Sequence, residues 1–142
     1  RVGWVASNTE VADILRDYRD YTMICAGVFD DMVATLVLEN KEAILERNRQ
    51  IVEENLALMD AWIAKEPKAS WIRPASVSTS FVKLDVNRPI EDFALELLQD
   101  YGVLVVPGNR FDKESHVRIG YCCDKEVLQK GLEKLSQFLN KC

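Results

Sequence analysis

The run GNRFDKESHVRIGY, Gly108 to Tyr121, opens on a turn, passes through a polar loop and closes on a strand. Side chains alternate faces along a strand. Val117, Ile119 and Tyr121 therefore point one way, and His116, Arg118 and Gly120 the other. The first set is apolar and belongs to a core. The second set puts an arginine beside a glycine, on a face that meets either water or something that needs a fixed cation.

Working outward from this strand, the flanking segments define a layer. Upstream, the apolar run "VLVVPG" reads as a strand closed by a Pro-Gly turn, joined to Val117–Tyr121 by a loop too short for a crossover helix. The two strands are therefore expected to be antiparallel. Further upstream, Asn87-Arg88-Pro89 opens a helix with Pro89 in its first turn. Its apolar stripe is Ile90, Phe93, Ala94, Leu97 and Leu98, and Tyr101-Gly102 ends it. Before it, "SVSTSFVKLDV" alternates with period two, with Ser78, Ser80, Val82, Leu84 and Val86 on one side. Downstream, Asp124 caps a last helix that buries Leu128, Leu132, Leu135 and Leu139. The order from about Ser76 is strand, helix, strand, strand, helix. This predicts an α+β layer, with helices packed on one face of a small, mainly antiparallel sheet and the other face open.

The first half of the chain reads as helical. "RVGWVAS" begins as a strand, with Val2, Trp4 and Ala6 on one face, and it has no evident strand to pair with. Ser7 to Glu10 supply cap candidates for a helix whose apolar positions are Val11, Ile14, Leu15 and Tyr18. Residues 25–38 are mostly apolar and are expected to be helical and buried. From about Asn40 to Lys65, Leu45, Val52, Leu56, Met59 and Ile63 recur at helical spacing, with no Gly or Pro before Pro67. A helix of that length runs close to ~40 Å. It is long for so small a layer and is expected to bridge two domains, residues 1–39 and 40–142. The chain as a whole reads as the C-terminal part of a longer protein, or as a domain whose start has been trimmed.

Composition narrows the class. With 142 residues, 48% hydrophobic and 29% charged, the chain can build a core and holds no apolar run of membrane-spanning length. A net charge of −5 without a Lys/Arg cluster argues against nucleic acid. Cys25, Cys122, Cys123 and Cys142 form no metal-ligand spacing, and His116 alone could join them, so no metal is expected. Reduced thiols in a cytoplasmic protein are the plain reading. Taken singly, the polar residues have ordinary explanations. Asp30 and Asp31 point about 100° apart on a helix and do not share a site. Asn109, Arg110, Asp112 and His116 read as loop and surface residues, and Trp62 and Trp71 as packing. Arg118 reads either as a solvated strand arginine or as a ligand-binding one.

Several short motifs in order change that balance. Arg1-Val2-Gly3-Trp4, then the long helix with "ERNRQIVEENLALMDAWI", then Val106-Pro107-Gly108, Phe111 and Arg118-Ile119-Gly120 together resemble the class I/II aminotransferases. These are the aspartate-aminotransferase-like, fold-type-I enzymes dependent on pyridoxal 5′-phosphate (PLP). The resemblance covers nearly the whole chain, and it implies the small C-terminal domain of such an enzyme behind the tail of its large domain. Arg1 matches the arginine that holds the PLP phosphate. Arg118 matches the arginine that grips the substrate α-carboxylate, a task suited to a planar two-pronged donor. Asn109 and Phe111 would line the substrate loop.

The same resemblance places the Schiff-base lysine ahead of Arg1, so no catalytic residue is expected within this chain. Residues 1–142 alone should be inactive and not hold PLP. The whole protein would exchange an amino group between an amino acid and a 2-oxo acid, as a homodimer, with this chain docked on its large domain. A PLP-dependent lyase or synthase, such as a carbon–sulfur lyase, fits the same residues. So does a non-catalytic α+β interaction module with surface arginines.

Overall fold

The structure, a computed structural model, describes residues 2–142; Arg1 lies outside the described residues. The chain divides into two compact units, Arg1–Glu46 and Arg47–Cys142.

The first unit holds helix α1 (Thr9–Thr22), helix α2 (Val28–Glu39) and the start of helix α3 (Lys41–Ile63). Asn8 caps α1, its side-chain oxygen accepting from the Val11 N–H at 3.0 Å. Two expectations fail here. Residues 2–8 form no strand, because a strand gains its hydrogen bonds only from a neighbour and the described part of this unit holds no other strand. Residues 28–39 are helical as the pattern requires, yet α2 has no buried residue. Phe29, Met32, Val33 and Leu36 are all more than half exposed. Apolar composition drives a helix toward burial, but burial needs a second surface.

The second unit holds the core. Strands β1 (Ala69–Trp71), β2 (Thr79–Leu84), β3 (Val106–Pro107) and β4 (His116–Gly120) form one sheet in the order β1-β2-β4-β3, antiparallel throughout. Helices α4 (Ile90–Tyr101) and α5 (Lys125–Leu139) complete the unit with the rest of α3. Val82 and Leu84 of β2 and Val117 and Ile119 of β4 are buried, in one cluster with Val52, Leu56 and Met59 of α3, Phe93 and Leu97 of α4, and Leu128, Leu132, Leu135 and Leu139 of α5. This is the expected α+β layer. At roughly 1.5–3 kcal/mol for each large side chain buried, the cluster is the main source of stability.

Smaller differences have local causes. Pro89 is the N-cap of α4 rather than a first-turn residue, and Leu98 is 40% exposed. Gly102 ends α4 in the left-handed conformation, φ 66°, as its position at the helix end requires. Of the apolar run only Val106 pairs with β4, followed by Pro107, which has no N–H to carry the ladder further.

Candidate functional site

On the sheet face away from the core, the register places Phe81 opposite Arg118, Lys83 opposite His116 and Thr79 opposite Gly120. Val106 of β3 lies opposite Arg118 on its other side. Arg118 is thus at the centre of the open face, flanked by an aromatic and an aliphatic residue. Its exposure follows from strand alternation: Val117 and Ile119 take the core side.

The guanidinium makes no ion pair among the described residues. Instead its carbon sits 5.2 Å from the centroid of the Phe111 ring, within the range of a cation–π contact. Phe111 meets Phe81 edge to face, with centroids 5.5 Å apart and planes at 85°. Phe81 stacks on His116 at 5.4 Å and 21°. Burial, then the cations of Lys113 and Lys83, hold the His116 imidazole below its ordinary pKa. The ring is therefore mostly neutral at pH 7, as suits a side chain stacked on Phe81 between two lysines.

The loop that carries Phe111 is pinned at its base. Residues Gly108–Phe111 form a single 3-10 turn. A Cβ on Gly108 would sit 2.2 Å from the Lys113 carbonyl oxygen and 2.4 Å from that of His116. Only glycine permits this approach. The turn is also tied to the first turn of α4. The Asn109 Nδ2–H donates to Glu91 Oε2 at 2.7 Å, and the Arg110 guanidinium pairs with Glu91 Oε1. Asn109 Oδ1 is buried without a partner. Gly120 differs from Gly108: a Cβ there would meet only a Thr79 methyl, at 3.8 Å. The backbone does not demand glycine at 120, and its effect is to leave space beside Arg118.

Of the residues read from the sequence, Phe111 and Arg118 come together. Asn109 is at the base of the same turn, with its amide engaged by Glu91. Arg1 is outside the described residues. Two contributors were missed. Phe81 falls on the polar side of an alternating strand, and a large aromatic there was the available signal. His116 is half-buried rather than a plain surface residue, and only the pairing of β2 with β4 reveals why. Among the described residues no group of three or more His, Cys, Asp or Glu is placed to hold a metal. No helix there is long and apolar enough to cross a membrane.

With this geometry in hand, comparison with known proteins is specific. Residues 1–135 match the model of "Aminotransferase class I and II". The chain belongs to that family. A solved PLP-dependent aminotransferase from Streptococcus suis 89-1591 superposes with a TM-score of 0.92 and 66% identity, over 97% of this chain and 37% of that one. Capreomycidine synthase from Streptomyces vinaceus is 28% identical over 98% of this chain and 36% of its own length. A probable N-acetyl-LL-diaminopimelate aminotransferase from Bacillus subtilis is 26% identical over 99% of this chain and 36% of its own. The chain thus spans a little over a third of the relatives it matches, and its fold is that of their small C-terminal domain. Family membership and these PLP-dependent neighbours support PLP as the cofactor.

Proposed function

We propose that the open sheet face is the substrate-carboxylate side of a PLP-dependent aminotransferase, with Arg118 as the residue that binds the amino acid's α-carboxylate. One observation carries the reading. Arg118 is a cation on a partly apolar face with no carboxylate neutralising it among the described residues. A planar guanidinium in that state is preorganised for a bidentate carboxylate. The space above Gly120 admits the ligand. Phe111 borders the same space, and Asn109 anchors the turn beneath it.

When bound, PLP supplies the electron sink for amino-group exchange. What this chain contributes is binding and orientation of the substrate. The phosphate contact of Arg1 is part of the proposal and rests on its place in the family motif. Residues 1–142 alone would be inactive, the lysine that carries the cofactor lying ahead of Arg1 in the family pattern. In the whole protein, residues 1–39 would complete a large domain, residues 40–142 would form the small one, and two copies would associate. All four cysteines are free thiols, compatible with a reducing, cytoplasmic setting.

The test is spectroscopic. The full-length protein is loaded with PLP and each common L-amino acid is added in turn. The reading expects the visible band of the lysine-bound cofactor to shift with one or a few of them and 2-oxo acid to form. A second reading, a PLP-dependent synthase or lyase, is favoured by the likeness to capreomycidine synthase. It predicts the same spectral shift with turnover that needs no added 2-oxo acid, a lyase releasing free ammonia and the eliminated group, whereas an aminotransferase would stop after one equivalent until a second 2-oxo acid takes the amino group. Absence of any spectral response would remove both. The match over residues 1–135 weighs against a non-catalytic interaction module.

A further inference from the structure

An arginine that binds a carboxylate has two requirements that conflict. Its long stem must be held in one orientation, or ordering it on binding weakens the complex. Yet the usual means of holding it, an acidic partner, would compete with the ligand for the same donors. The face of an aromatic ring resolves the conflict. It attracts the cation through its quadrupole while leaving the guanidinium edge, where the N–H donors lie, open to a ligand.

The contacts around Arg118 have this form. Its guanidinium carbon lies 5.2 Å from the Phe111 centroid. Phe111 is 44% exposed, so packing alone does not explain a phenylalanine there. The ring is fixed from below by the edge-to-face contact with Phe81, itself stacked on His116. It is fixed from the side by the turn whose base, Gly108, packs directly on the Lys113 and His116 carbonyls. Three strands or turns thus converge on one ring. We propose that Phe111 is a positioning residue that holds Arg118 for the carboxylate, and that Phe81 and His116 are the stack that holds Phe111. This rests on the reading that Arg118 meets a carboxylate, and it gives Phe111 a role through Arg118 rather than through the substrate.

The experiment uses the full-length, PLP-loaded protein and two probes. One is the L-amino acid that gives the fastest spectral change, and the other is the corresponding amine lacking the carboxylate. Phe111→Leu should raise KM for the amino acid by roughly threefold to thirtyfold, the span of a cation–π contact. It should weaken the response to the amine far less than the response to the amino acid, and lower kcat less than it raises KM. Phe111→Tyr, which keeps the ring face, should restore the amino-acid KM. Phe81→Leu should shift KM in the same direction by less. Arg118→Leu separates the two claims. If it raises the amino-acid KM and Phe111→Leu does not, the brace is wrong and the carboxylate reading stands. If Phe111→Leu weakens amino acid and amine alike, or only lowers the thermal midpoint, Phe111 is a structural or substrate-lining residue and the brace is again wrong. If Arg118→Leu itself changes nothing, both claims fall.

Discussion

Two single residues at the open face can each be tested alone, and a third, buried, ties the sheet to α3. Gly108 has backbone carbonyls at 2.2 and 2.4 Å from where a Cβ would stand. Backbone cannot give way as a flexible side chain can, so Gly108→Ala should destabilise by about 1–3 kcal/mol in denaturant unfolding. His116 is the chain's one histidine, and its pKa is lowered by burial and by Lys113 and Lys83. The imidazole also faces Phe81 and lies beside the Ser115 hydroxyl. The unfolded chain therefore takes up this proton first, near pH ~6.5. Stability is complete above that pH and declines as pH falls through the lower folded value. Unfolding measured between pH 8 and 5 should show this slope, and His116→Phe, which keeps the stack, should remove the histidine's share of it. Asn55 is the third. Its Nδ2 donates to the Tyr121 and Cys123 carbonyls at 2.7 and 2.9 Å, tying α3 to the end of β4. At this scale the sequence exposes the arginine, through its place between Val117 and Ile119, and the glycine beside it. It conceals what Phe81 and Asn55 meet, because their partners Arg118 and Tyr121 stand 37 and 66 residues further along the chain.

At the scale of elements, legibility tracks the strength of local signals. Helix α5 was readable in full: Asp124 caps it, accepting from the Glu126 N–H at 2.9 Å, and its four predicted leucines are buried. Helix α4 was readable from its stripe and from Gly102, and α3 from an unbroken period over residues that include Leu56 and Met59. Strand β1 was not readable, since three residues are too few to show alternation. The N-terminal strand was read from composition and failed, because pairing is a property of two segments. The packing of α4 on α5 gives the energetic test. Phe93 is fully buried, its ring centroid 4.8 Å from that of Phe138. Phe93→Ala should cost about 3–5 kcal/mol, read as a lowered denaturation midpoint. A loss below ~1 kcal/mol would mean that the helix pair is not the centre of the core.

For the molecule as a whole, the contrast lies between the two units. Arg47–Cys142 contains every buried residue of the described chain, and the described part of Arg1–Glu46 contains none. Large apolar side chains there, Trp4, Phe29 and Ile24 among them, are 74%, 84% and 80% exposed. A segment with few buried contacts opens at low free energy. Limited proteolysis of residues 1–142 should cut first within residues 2–46 and leave a resistant product that retains α4, α5 and the sheet. Initial cleavage inside α4 or α5 would contradict this picture. The apolar stretch at 25–38 was legible as a helix, and its exposure was not, because the sequence does not say which surface it meets.

Arg118 is the residue on which carboxylate binding depends, and one measurement addresses it without intermediaries. In the full-length, PLP-loaded protein, Arg118→Leu is compared with the unaltered protein for the responsive amino acid and for its amine counterpart. In the assembled site the Arg118–carboxylate pair would be shielded from water, and loss of one partner from such a pair costs roughly 2–5 kcal/mol. The amino-acid KM should therefore rise by about thirtyfold or more while the amine response stays the same. An amino-acid KM left unchanged by Arg118→Leu would show that the open face does not bind the carboxylate.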